Sequence, residues 1–179
     1  GDFAQKLSMD VQIAGGKLSE KDLRDYSARI LAPITVARGN MIYNLTPGLT
    51  AGPTFVDALE RTPSFKFEIP SANSHALIAR ALIDSYQNRF ATMGFAGDAG
   101  DRSCTTKISS VDGNGNMAII TTTLLSRFGS RFVAPTSGVL MNNGINWFDP
   151  RPGRPNSIAA GKRPLSNMCP MIATPKNMD

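Results

Sequence analysis

Among the side chains of this 179-residue sequence that can carry covalent chemistry are Cys104, Cys169, the single histidine His75, and threonines at positions 105, 106 and 121–123. A thiol or hydroxyl attacks a carbonyl only when a base takes its proton or its pKa falls. His75 has no neighbours that would complete a triad, and beside Ser74 it reads as a residue of a helix-capping region. Two cysteines make neither a disulfide framework nor a metal-ligand set, and one histidine leaves zinc without its familiar ligands, so no metal and no cofactor is expected. By residue type alone the threonines are strand formers. Thr105 and Thr123 nonetheless lie in two β-branched runs joined by a hairpin signal, and an alternating pleat puts them on one face if the register allows.

The elements that must hold these residues follow from periodicity. Phe3, Leu7, Val11 and Ala14 recur at spacings of three and four, which predicts an amphipathic helix over 3–14 stopped by Gly15-Gly16. Ser19 reads as an N-cap with Asp22 as its partner, a variant capping box opening a short helix through Tyr26. The apolar, β-branched stretch from Ile30 to Leu45, broken at Arg38-Gly39-Asn40, predicts two strands and a tight turn. Pro53 suits the first turn of a helix through Leu59, and Ser74 is expected to cap a longer one containing Ala76, Leu77, Ala79, Leu82, Ile83 and Tyr86. Thr92 to Ser103, with Gly94, Gly97 and Gly100, reads as a flexible surface segment and the best internal boundary.

Beyond it, Thr105 to Val111 and Met117 to Leu124 flank Asp112-Gly113-Asn114-Gly115-Asn116, an explicit turn between antiparallel strands. Phe132 to Ala134 and Gly138 to Met141 are expected to extend that sheet, and Asp149 to Lys162 is too rich in Pro and Gly to be other than loop. Pattern alone therefore supports a mixed α and β class.

Bulk properties narrow the function. With 41% hydrophobic and 18% charged residues the chain can build a real core. The net charge of +5 is dispersed, with basic residues alternating with acidic ones from Lys17 to Arg24, which argues against a nucleic-acid partner. No apolar run approaches the roughly 18 residues of a membrane span, and the opening Gly1-Asp2 is no targeting segment, so no membrane association is expected.

Thr105-Thr106, Ser109, Val111-Asp112, Gly115-Asn116, Thr121, Thr123, Phe128-Gly129-Ser130, Asn142-Asn143 and the run from Gly161 to Ser166 occur in order. This succession resembles the start of the small subunit of the gamma-glutamyltransferases (gamma-glutamyltranspeptidases), members of the N-terminal-nucleophile hydrolases. Ala14-Gly15-Gly16, Asp22-Leu23, Tyr26 and Gly52-Pro53-Thr54 resemble the end of that family's large subunit. The resemblance implies an α/β (α+β) fold, the four-layer αββα sandwich of these hydrolases, present in part. Residues 1–104 would be the C-terminal part of the large subunit, mostly helical with a strand pair. Residues 105–179 would be the N-terminal part of the small subunit, with antiparallel strands and a substrate loop.

It also implies a zymogen that cuts itself between Cys104 and Thr105, leaving Thr105 as the N-terminal nucleophile. The freed α-amine, with a pKa of roughly 7.7 to 8, supplies the base that the hydroxyl needs, and no histidine is required. Thr105 would then attack an amide carbonyl, form an acyl-enzyme, and pass the acyl group to water or an amine. Thr123 matches the family threonine whose hydroxyl orients the nucleophile. Cys104 is the rival nucleophile, exposed only if the cut falls one bond earlier, but the resemblance makes it the last residue before the cut. Cys169 reads as a small buried side chain, and Lys107, standing where the family has histidine, as an outward strand position.

Ser166 matches the first of two consecutive serines that bind substrate, and Asn167 replaces the second. Leu125 stands where the family has asparagine, and Gly144 and Trp147 stand where it has the polar and acidic residues that read glutamate. Losing such hydrogen-bonding groups changes the substrate a pocket selects. The expected function is thus an amide hydrolase or acyl transferase acting on a small amide or gamma-glutamyl-like substrate without strict gamma-glutamyl specificity. The alternatives are a catalytically inactive relative that binds a small amide or peptide, and a true gamma-glutamyltransferase with a rebuilt pocket. Expected partners are the large and small subunits of the processed parent and a second copy paired through open sheet edges. The family's oxyanion-hole Gly-Gly pair is expected beyond Asp179 and a substrate-binding arginine before Gly1, so these 179 residues alone are expected to be inactive. The compartment stays open between bacterial cytoplasm and periplasm, the cytoplasm favoured.

Overall fold

The computed structural model describes residues 1–62, 71–93 and 103–176. Contacts gather these into two units, the first from Gly1–Leu31, Asp101–Thr105 and Thr123–Gly144, the second from Ala32–Gly100, Thr106–Thr122 and Ile145–Asp179. The predicted boundary segment falls largely on 94–102, outside the described residues.

In the first unit, α1 (Asp2–Ile13) and α2 (Glu20–Asp25) form where periodicity and capping predict them. Gly15, at φ +84°, and Gly16 close α1 by donating to the carbonyls of Gln12 and Val11, which satisfies two orphan acceptors of the last turn. Ser19 and Asp22 make the reciprocal capping box. Leu7 and Ala134 are the buried apolar residues here. Asp10, 5% exposed, accepts from the backbone and hydroxyl of Thr136 and from the backbone of Ser137, pinning α1 to the loop after the hairpin. That loop corrects one expectation. Phe132–Ala134 and Gly138–Met141 do not extend the sheet; they pair only with each other, through an isolated bridge between Val133 and Leu140. The bonds from Ala134 to Val139 and from Gly138 to Ala134 turn the chain back at once, leaving no length for a ladder.

In the second unit, β1 (Ile34–Arg38) and β2 (Met41–Leu45) pair antiparallel in the register Arg38 to Met41. Gly39 takes the positive φ, +59°, that a two-residue hairpin turn demands at its first position. α3 (Gly52–Arg61) carries Pro53 in its first turn, and Arg38 donates to the carbonyls of Leu59 and Thr62 at its other end, where a cation also suits the helix dipole. α4 (Ala72–Thr92) packs on α3. Its N-cap is Ser71 rather than the predicted Ser74. Ser74 is the capping-box partner three residues on, so the helix starts earlier than expected. Leu45, Ala58, Ala81 and Leu165 are buried in this unit.

β3 (Ser103–Val111) and β4 (Met117–Ser126) form the predicted hairpin as a separate two-stranded sheet. β5 (Met171–Pro175), which no local pattern announces, pairs antiparallel with β2 and completes a three-stranded sheet in the order β1-β2-β5. Residues 149–162 are irregular as expected, apart from one parallel bridge between Asp149 and Ser157. Among the described residues no helix is long and apolar enough to cross a membrane.

Candidate active site

The hairpin turn sets the geometry of the threonines. Asp112 accepts from the backbone of Asn114 and Asn116 through Oδ1 and from the Asn116 side chain through Oδ2, and its own N–H donates to the Asn116 carbonyl. The Asn116 side chain, followed by its backbone, holds the Asp112 carboxyl below the usual carboxylate range. Counting equal steps back along β3 from Asp112 and forward along β4 from Asn116 brings Thr105 opposite Thr123. Their hydroxyls are 3.3 Å apart, with Thr105 Oγ1 donating to Thr123 Oγ1. This is long for a hydroxyl pair, which ordinarily sits near 2.7–2.8 Å, and catalytic hydrogen bonds are often long before substrate binds.

β4 shows strand alternation in its exposure, with Ile119, Thr121 and Thr123 half-buried while Ala118, Ile120 and Thr122 are exposed. Thr105 is exposed. The Cys104–Thr105 bond lies within the strand β3.

β4 then bends. Leu125 adopts φ +73°, a left-handed conformation that costs a non-glycine residue roughly 1–2 kcal/mol. In that conformation its N–H donates to Thr123 Oγ1 at 2.9 Å. The bend is held from outside. Asn143 donates its backbone N–H to the Leu124 carbonyl at 3.1 Å, accepts the Ser126 N–H on Oδ1 at 2.9 Å, and donates from Nδ2 to Ser126 Oγ at 2.6 Å. Just beyond, Gly129 sits so close to the chain at Met141 that a Cβ there would come 2.3 Å from the Met141 carbonyl oxygen. Strain that the surroundings over-determine is a mark of functional sites.

The predicted substrate residues Ser166 and Asn167 lie in the second unit. Ser166 is half-buried and Asn167 exposed. The loop is tied down by backbone bonds from Ser166 to Leu49 and from Ala51 to Met168, and Ser166 Oγ accepts the Met168 N–H at 3.1 Å. Arg89 Nη2 donates to the Ser166 carbonyl. Asn156, itself fixed to the Trp147 carbonyl, accepts the N–H of the buried Leu165. Thus the structure brings Thr105 and Thr123 together within one unit and gives Ser166 and Asn167 a braced loop in the other.

Of the remaining reactive residues, Cys169 is less buried than expected. His75 is exposed, and its Nδ1 lies 2.8 Å from the Ser71 carbonyl in the first turn of α4. Cys169 is a half-buried free thiol, and burial pushes its pKa up, away from the reactive thiolate. Lys107 is exposed. What sequence reasoning missed is the support: the Leu125 backbone, Asn143 and Arg89. Only the pair Asn142-Asn143 carried a signal, as one member of the succession that resembles the family.

The gamma-glutamyltranspeptidase family model matches residues 71–179. Over 96% of its length the chain is 27% identical to the glutathione hydrolase proenzyme of Escherichia coli (strain K12), covering 39% of that protein. It is 40% identical over 94 residues, 52% of this chain and 16% of the relative, to the acylase ACY 1 proenzyme of Pseudomonas sp. (strain SE83). Its fold is that of the cephalosporin acylase from Bacillus halodurans, with a TM-score of 0.76 at 20% identity over 98% of this chain and 38% of the other. The chain spans about two fifths of the length of the E. coli hydrolase and of the B. halodurans acylase. With more than half of its residues inside the family model and both proenzyme relatives and fold in agreement, the chain belongs to the gamma-glutamyltranspeptidase family.

Proposed function

We propose that this chain is the central part of an amide hydrolase or acyl transferase that cuts itself between Cys104 and Thr105 and uses Thr105 as its N-terminal nucleophile. The observation that carries the reading is the Thr105–Thr123 hydroxyl pair, with Thr123 Oγ1 also receiving the Leu125 N–H. In the cut, Thr105 Oγ attacks the Cys104 carbonyl carbon. The hydroxyl proton passes to the Thr105 nitrogen as the C–N bond breaks, and water hydrolyses the resulting ester to a Cys104 carboxylate and a free Thr105 amine. That amine is then the base for attack on the substrate amide. The acyl-enzyme forms as the amine leaves, and water or a second amine takes the acyl group. The proenzyme names of the two relatives support processing into large and small subunits.

Ser166 and Asn167 are assigned to substrate, on the braced loop of the second unit. Leu125, Gly144 and Trp147 replace the groups that read a glutamate head, so an amide without strict gamma-glutamyl character is the proposed substrate class. The 40% identity to a protein named as an acylase favours the same class. Intact-mass analysis of the full-length parent tests the reading. Wild type is expected as two pieces meeting between Cys104 and Thr105, and Thr105→Ala as one uncut chain; an uncut wild type overturns it.

The loss of the glutamate-reading groups also favours a second reading, an inactive relative that binds a small amide or peptide. Binding of an amide panel without turnover by the full-length parent supports that alternative, whereas turnover removes it.

A further inference from the structure

We propose that Asn143 is a positioning residue for Thr105, acting through the bend at Leu125; the inference rests on the nucleophile assignment above. Three polar groups of Asn143 bracket Leu125. Its backbone N–H reaches the Leu124 carbonyl on one side, while its side-chain oxygen and nitrogen take the backbone N–H and the hydroxyl of Ser126 on the other. Ser126 is only 7% exposed, so water is a poor substitute for these bonds. Leu125 between them holds φ +73°, which a leucine does not adopt unless its neighbours impose it.

The consequence reaches the nucleophile in two steps. With Leu125 left-handed, its N–H is fixed 2.9 Å from Thr123 Oγ1, and Thr123 Oγ1 is the partner of the Thr105 hydroxyl. Releasing the clamp lets Leu125 relax toward the extended region, which reorients the 124–125 peptide and withdraws its N–H from Thr123. The Thr123 hydroxyl then loses one of the bonds that orient it toward Thr105. No atom of Asn143 needs to touch the reacting groups for this. The side chain must hydrogen-bond the Ser126 N–H and the Ser126 hydroxyl at once, which an amide or a carboxylate does and an aliphatic residue does not.

The test is the rate of self-cleavage of the freshly folded full-length parent, followed by intact mass, for wild type, Asn143→Ala, Asn143→Asp and Leu7→Ala. Leu7 is a buried residue of α1, and its truncation controls for lost stability in the same unit. N143A is expected to cut about tenfold to a hundredfold more slowly, the usual scale for misplaced reacting groups. N143D is expected to stay within about threefold of wild type, because a carboxylate still accepts the Ser126 N–H and the Ser126 hydroxyl can turn to donate to it. L7A is expected to cut at the wild-type rate wherever it is folded. Cleavage of N143A within threefold of wild type overturns the proposal, as does equal slowing of L7A. If N143A does not fold, N143D decides, and a tenfold loss in folded N143D is equally fatal. An uncut wild type instead removes the nucleophile reading itself, so the two failures are distinguishable.

Discussion

Arg89 of α4 donates from Nη2 to the carbonyl of Ser166 at 2.7 Å, and from Nη1 to the Thr50 carbonyl and Thr54 Oγ1 at 2.7 and 2.8 Å. One buried guanidinium, 5% exposed, therefore joins a helix and the start of α3 to the candidate substrate loop, from opposite sides of the proposed cut. Burial pulls its pKa below the usual arginine value, yet its fork of fixed donors still serves three acceptors together.

Replacing Arg89 with Met leaves those acceptors without their donor, at about 1–3 kcal/mol for each group left unpaired. Arg89→Met in the full-length parent is expected to lower stability by about 3 kcal/mol or more, read by chemical denaturation. KM is expected to rise more than kcat falls, because Ser166 loses its brace while the Thr105–Thr123 pair does not depend on Arg89. An equal fall in kcat with KM unchanged counts against the substrate role of this loop.

Leu125 offers a test of backbone strain. At an ordinary strand position glycine is less stable than alanine by roughly 0.5–1 kcal/mol. At φ +73° the order should reverse, with Leu125→Gly more stable than Leu125→Ala by about 1 kcal/mol. Both variants lose the same leucine side chain, so the comparison isolates the backbone. Denaturation curves showing alanine the more stable would mean that the bend is not strained.

Asp149 predicts a pH dependence. It is fully buried and accepts from the Arg151 backbone, Nε and Nη2, and the Arg151 side chain above all holds its carboxyl below the usual carboxylate range. A folded-state pKa below the unfolded one contributes stability that is complete above about pH 4 and is lost as pH falls through the folded value. Asp149→Asn is thus expected to be less stable than wild type at pH 7 and to lose less on acidification below pH 4. Parallel acid limbs for the two proteins in denaturation at stepped pH would refute it.

Much of this fold was legible because its determinants are local. Gly15-Gly16 could only end a helix, Ser19 and Asp22 lie at capping-box spacing, and Asp112 to Asn116 contain the groups that close their own turn. The sequence left the hairpin's register open, and the closed turn of Asp112 and Asn116 sets it so that Thr105 faces Thr123. The Ser71 cap was displaced by three residues because Ser71 and Ser74 have the same chemistry and only the finished helix distinguishes cap from partner.

What sequence alone determined, then, was the turns, the Ser19 cap and the two β-branched runs that carry Thr105 and Thr123, all set by contacts within a few residues or by one hairpin. Tertiary structure alone decided the rest. β5 is a strand because β2 lies beside it, Leu125 is bent because Asn143, 18 positions on, grips both its neighbours, and Arg89 meets Ser166 across 77 positions of chain. Such partners leave no periodicity in the sequence, because a hydrogen bond between distant segments constrains two side chains and a distance, and only the packed fold supplies the distance.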